Sequence, residues 1–224
     1  MKRLSIAAFA MLVLALMIGC SSENAAEGEN QATDAMQASA KTATVATVGE
    51  AAPDFTLTDT KGTAHSLSDF KGKYVVLEWV NFDCPFVKNH YVTGNMPTLQ
   101  ANYTEKDVVW LSICSSAPGK QGHFASDALT SRMAAENWAG TAYLTDADGT
   151  VGKMYDAQTT PHMYIIDPEG VLRYAGAIDD TPSTKAEDLK TASNYVSASL
   201  DNLMAGKPVE TKVTKAYGCS VKYP

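Results

Sequence analysis

Cysteine is scarce in this chain of 224 residues: there are four, at positions 20, 84, 114 and 219, and no two stand close together. The paired Cys-x-x-Cys clusters of structural zinc sites are thereby excluded, and any disulfide has to join segments distant in sequence. Basic charge is also short, with 18 Lys and Arg against 25 Asp and Glu and a net charge of −7. That balance excludes nucleic acid as the expected partner. Internal repeats are absent, and no apolar run reaches the roughly 20 residues of a bilayer-crossing helix. No motif calls for a cofactor, and neither cofactor nor metal is expected.

The longest apolar run, residues 6–18, follows Lys2 and Arg3 and ends in Met17-Ile18-Gly19-Cys20. Its length, basic start and small residue before the cysteine mark a signal sequence. The ending resembles the lipobox of bacterial lipoproteins, with Met17 in place of the usual Leu. That resemblance implies cleavage before Cys20, lipid on Cys20, and a protein held on the membrane of the bacterial cell envelope, facing the periplasm. Ser21, where a retention signal would have Asp, points to the outer rather than the inner membrane of a Gram-negative cell. Residues 1–19 are thus read as a signal peptide and residues 20–47, which have almost no large apolar side chain, as a lipidated flexible tether. Without the first 19 residues the chain has a net charge of −9. Residues 48–206 suit one domain, and residues 207–224 form a tail that carries Cys219.

Along the domain, residues 52–57 and 64–67 alternate around Thr60-Lys61-Gly62, which predicts a hairpin beside the main sheet. Residues 74–79 and 108–114 are apolar enough for interior strands. A helix is expected from Pro85, interrupted at Gly94 and restarted with Asn95 as N-cap, and another from Ser126 to about Trp138. Residues 141–145 form a third strand and 151–155 a short helix. A strand opens after Thr160-Pro161, turns at Asp167-Pro168-Glu169-Gly170 and pairs back through residues 171–178. Residues 184–205 carry an amphipathic pattern. The order β-α-β-α-β-α-β-β-α specifies an α/β fold, a mixed sheet flanked by helices.

Cys84 sits where the strand ending at Trp79 hands over to a helix, and Pro85 suits the first helical position. Free backbone N–H groups and the positive end of the helix dipole favour a thiolate there. Lys88, one turn on, adds to that bias. The plainer alternative is an inert buried cysteine.

A strand, a cysteine at a helix start and a Thr-Pro before a later strand together resemble the thioredoxin fold. The long form with an N-terminal hairpin is similar to the redoxins of the alkyl hydroperoxide reductase and thiol-specific antioxidant superfamily, over residues 49–203. The resemblance implies a cis Pro161 that, with Thr160, presents an extended substrate backbone to Cys84. It also implies that Glu78, six residues before the cysteine, accepts a proton. Two positions depart from the parent families. Val87 stands where a thioredoxin has its second cysteine, and Asn81 where a peroxiredoxin has Thr or Ser, so Asn81 is a candidate substrate contact. A resolving thiol must then come from elsewhere: Cys219, in a tail expected to be mobile, with Cys114 at the end of a neighbouring strand as the alternative. The expected function is a lipid-anchored thiol-disulfide oxidoreductase acting on protein thiols or disulfides with an unidentified reducing partner. The alternatives are a thiol-dependent hydroperoxide reductase and a copper-binding assembly module using Cys84 with His90 or His162. Lys88, where thioredoxin-fold copper chaperones have a second cysteine, argues against the last.

Overall fold

A computed structural model describes residues 45–224, so the expected signal peptide, Cys20 and nearly all of the expected tether lie outside the described residues. Its central strand is Val75–Trp79 (β3), in which all five residues are buried. Successive side chains of a strand point to opposite faces, so an apolar run of this kind requires a layer on each side. Val76 joins a cluster with Trp110, Met163 and Ile165, whereas Val75, Leu77 and Trp79 join a second with Phe55, Leu111 and Tyr155. Each fully buried Val or Leu of this kind contributes about 1.5–3 kcal/mol by leaving water.

The hairpin Thr56–Asp59 (β1) and Ala64–Ser66 (β2) precedes β3, and Val109–Cys114 (β4) and Ala142–Thr145 (β5) follow it. After the two-residue strand Thr159–Thr160 (β6) come His162–Ile166 (β7) and Leu172–Gly176 (β8), and Cys219–Ser220 (β9) closes the series. Seven strands form one sheet in the order β2-β1-β5-β4-β3-β7-β8, and β6 pairs separately with β9. β3, β4 and β5 run parallel; β7 is antiparallel to β3, and β1 to β5. The sheet is therefore mixed, with the predicted hairpin extending it beyond β5.

The helices are Pro85–Val92 (α1), Asn95–Thr104 (α2), Ser126–Ala135 (α3), Thr150–Met154 (α4) and Tyr195–Met204 (α5). Val87 and Tyr91 of α1, Met96 and Tyr103 of α2, Leu129 of α3 and Val196 and Leu200 of α5 fill the first cluster. Val151 of α4 joins the second. Both faces of the sheet are thus covered, which defines a thioredoxin-like α/β fold.

Three local expectations differ from the structure. Gly94, with φ of 73°, is the residue before α2, and Asn95 begins the helix with its amide on His90 instead of capping. The last helix starts only at Tyr195, because the Asn194 side chain accepts from the Ser197 amide and caps it there. Finally, the tail expected to be mobile is bound along its length. Its β9 pairs with β6, the Val221 amide donates to Gln158, and the Tyr223 hydroxyl donates to Ala157 at 2.6 Å.

Candidate active site

The end of β3 and the start of α1 are joined by a loop that Asn81 organises. Its side-chain oxygen accepts from the Asp83 amide at 2.9 Å, and its carbonyl accepts from the Cys84 amide at 2.9 Å. The Asn81 amide nitrogen donates to the Gln121 carbonyl at 3.3 Å, which ties this loop to the one after β4. Asn81 is buried, and a Cβ at Gly122 would come within 2.5 Å of it. Its polar atoms are therefore committed to the loop and not aimed at a ligand.

Cys84 is the N-cap of α1, with Pro85 in the first helical turn. It is fully buried. Its thiol donates to the Thr160 carbonyl at 3.1 Å, and the backbone N–H of Cys219 lies 3.4 Å from the same sulfur. Burial alone would push the thiol pKa up. Hydrogen bonds from the Cys219 thiol and from the Val87 and Cys219 amides outweigh it and hold Cys84 below the ordinary thiol range. The Thr160 hydroxyl is buried and makes no hydrogen bond. Cys219 is displaced the other way, to about 11, by partial burial and by the Cys84 sulfur beside it. In this pair the proton stays with Cys219 while Cys84 becomes the thiolate.

The Thr160-Pro161 peptide bond is cis. Thr160 ends β6 and stands opposite Cys219 in the β6–β9 pair, with Thr159 opposite Ser220. Gly218 has φ of 133°, and a Cβ there would lie 1.9 Å from the Thr160 carbonyl oxygen. Only glycine allows the tail to approach the strand this closely. Tyr217 holds the approach from the other side. Its ring packs 5.8 Å from Phe86, and its hydroxyl lies 3.1 Å from His90 Nε2 and donates to Asp179 at 2.5 Å. The Asn95 amide donates to His90 Nδ1 at 2.8 Å, which assigns the imidazole proton to Nε2 and makes that nitrogen the donor to Tyr217.

The sequence-predicted residues therefore divide. Cys84, Cys219, Thr160 and Pro161 are brought together. Cys114 is not: its buried thiol donates to the Gly122 carbonyl at 3.3 Å, and burial pushes its pKa up. Glu78 touches neither sulfur of the pair. Its carboxylate accepts from Tyr91 at 3.0 Å, Gln100 at 2.9 Å, Trp110 at 2.8 Å and Ser112 at 2.9 Å. Burial raises its pKa, against the opposing pull of those four donors. Lys88 is exposed and is not among the groups that lower the Cys84 pKa. Bulk solvent screens such a charge. Among the described residues no group of three or more His, Cys, Asp or Glu side chains is arranged to hold a metal ion.

Sequence reasoning missed Tyr217, His90 as its partner, and Gly218. The one available signal was the Tyr-Gly-Cys run itself, since a glycine directly before a candidate thiol marks a place of close backbone approach.

A thioredoxin-like fold with a lowered-pKa cysteine at a helix start defines a redoxin-type thiol oxidoreductase. The chain belongs to the AhpC/TSA family, whose model matches residues 48–175. Among solved structures it is similar to a hypothetical protein from Sinorhizobium meliloti 1021, at 26% identity and a TM-score of 0.66, with 80% of this chain and 95% of that one covered. An uncharacterized conserved protein from Geobacillus kaustophilus is similar at 29% identity and a TM-score of 0.68, with 80% and 93% covered. No functionally curated protein matches the chain.

Proposed function

We propose that the protein is a thiol-disulfide oxidoreductase of the cell envelope, held there by lipid on Cys20, with Cys84 as nucleophile and Cys219 as resolving thiol. The observation that supports this reading most is the Cys219 amide at 3.4 Å from the Cys84 sulfur, since resolution needs the second cysteine beside the first. The Cys84 thiolate attacks a disulfide of a partner protein, bonds to one sulfur and expels the other as a thiolate. Cys219, after giving up its proton to the expelled thiolate, attacks the Cys84 sulfur. The Cys84–Cys219 disulfide forms, and the second partner sulfur leaves. Two electrons have passed to the partner, and an external dithiol returns them.

In this scheme Thr160 and Pro161 flank the reacting sulfur, and Asn81 fixes the loop that carries Cys84. Glu78 is a positioning residue: through Tyr91 it fixes the helix that Cys84 begins. Lys88 contributes a screened, long-range charge only. The scheme is tested by oxidising the protein and mapping its peptides without reduction. A Cys84–Cys219 link is expected, and a Cys84–Cys114 link would overturn the assignment. Hydroperoxide reduction is the lesser reading, because Asn81, which stands where a peroxiredoxin has Thr or Ser, is committed to the loop. Reaction with peroxide should match that of a free thiol; rapid formation of a dimedone-trapped sulfenic acid on Cys84 would favour the peroxidase instead. For the anchor, Cys20→Ser should move the protein from the membrane fraction to the soluble fraction, and continued membrane residence would refute lipidation at that residue.

A further inference from the structure

The strand that opposes Thr160 is the protein's own. β9 lies antiparallel to β6, with Cys219 opposite Thr160, so a cysteine of an extended segment already occupies the position beside Cys84. Contacts secure it on both sides: Tyr217 to His90 and Asp179 before the cysteine, Val221 to Gln158 and Tyr223 to Ala157 after it. Tyr223 also packs where a Cβ on Gly149 or Gly152 would meet it at 2.4 Å, and the Lys153 ammonium stands 5.6 Å above its ring. Beneath this cover Cys84 has no exposed surface, although Cys219 is only partly buried.

We propose that residues 217–223 are a resident strand occupying the place of a partner's disulfide-bearing segment, so that Cys84 reacts with a partner protein by strand exchange and selects a segment with glycine directly before its cysteine. The proposal rests on the exchange reading above and adds the gate and the partner's chemistry. Addition of a strand to an open edge takes its affinity from main-chain hydrogen bonds and its specificity from the side-chain positions that fit. Here the steric limit lies in the fit of strand to acceptor: with the backbone the resident strand adopts, φ of 133° at Gly218 included, the Thr160 carbonyl leaves no room for a Cβ on the residue before the cysteine. A partner segment that follows the resident strand's path to bring its sulfur to Cys84 meets the same oxygen. The resident strand also carries the resolving sulfur. When it returns, Cys219 attacks Cys84, the Cys84–Cys219 bond forms, and the partner's thiolate is expelled together with its strand.

Two measurements on the full chain test this. The rate of Cys84 alkylation by iodoacetamide, followed by peptide mass on the high-pH plateau where Cys84 is thiolate, is compared between Cys219→Ser and Cys219→Ser/Gly218→Val. The valine cannot sit against the Thr160 carbonyl, so the double variant should react at least about tenfold faster, as expected when the open form is a minor population. Equal rates overturn the gate. If the thermal unfolding of the valine variant shows that it does not fold, Tyr217→Ala in the same background is read by the same criterion. The second measurement gives the Cys219→Ser protein the synthetic decapeptide of residues 215–224 with a thiopyridyl disulfide on its cysteine, and the same peptide with alanine in place of glycine. Transfer to Cys84 should be about tenfold faster from the glycine peptide. Equal transfer overturns the glycine rule. Neither measurement uses the Cys219 sulfur, so a failure of Cys84–Cys219 pairing in the oxidised protein stays distinguishable from a failure of the gate.

Discussion

Cys84 owes its thiolate character to donors that arrive from two parts of the chain. The Val87 amide comes with the helix start and was legible from Cys84-Pro85; the Cys219 thiol and amide come with the tail and were not. Cys219→Ala removes the thiol donor and leaves the backbone, so the Cys84 pKa should rise. Titration of the thiolate ultraviolet absorbance measures it, and an unchanged or lower value would contradict the assignment. Glu78 shows the opposite case. Its spacing from Cys84 was readable, but its role was not, because Tyr91, Gln100, Trp110 and Ser112 converge on it from three other elements. In Glu78→Gln the new amide N–H must face one of these donors, leaving a buried polar group unpaired. The expected loss is about 1–3 kcal/mol, read from the midpoint of urea unfolding.

At the level of elements, periodicity gave the strands and their order well, because β3 and β4 are buried on both faces and carry unbroken apolar runs. Helix ends were harder. The amphipathic pattern of the last helix extended back to residue 184, whereas Asn194 imposes the start; Asn194→Ala should cost about 1 kcal/mol of stability in denaturant unfolding. The tail was the largest misreading. Residues 207–224 contain little that is periodic, and strand pairing over two residues leaves no pattern to find. What binds it is the fit of single residues to sites built by distant ones, above all Tyr217 between His90 and Asp179. Tyr217→Phe keeps the ring on Phe86 and removes the hydroxyl, leaving the His90 N–H facing no partner and the Asp179 carboxyl with the Thr181 amide alone. Amide hydrogen exchange at Cys219 and Val221 should accelerate, while that of β3 stays unchanged. Unaltered protection of the tail would show that the hydroxyl does not hold it.

For the whole molecule, these buried groups set the response to acid, and they do so with opposite signs. Burial holds His90 and His162 to about 4, against an ordinary 6.5. The unfolded chain therefore binds more protons than the native one between those values, and stability rises with pH across them. The contribution is fully present above 6.5 and lost as pH falls towards 4. Burial raises the carboxyl pKa values of Glu78, Asp146 and Asp179, so there the native state holds the extra proton. Their contribution is present below the ordinary carboxyl values and lost as pH climbs through the raised ones. The measured curve is the sum, and a single variant separates the terms. In His90 the acceptor Nδ1 faces the Asn95 amide and the donor Nε2 faces Tyr217, which in turn donates to Asp179, so a second proton on the ring meets a donor already in place. His90→Gln removes that proton uptake. Between pH 6.5 and pH 4 the native protein should lose about 3 kcal/mol more stability than the variant. Denaturant unfolding at the two pH values measures the difference, and a gap between the proteins that does not change with pH would show that His90 does not take up that proton on unfolding.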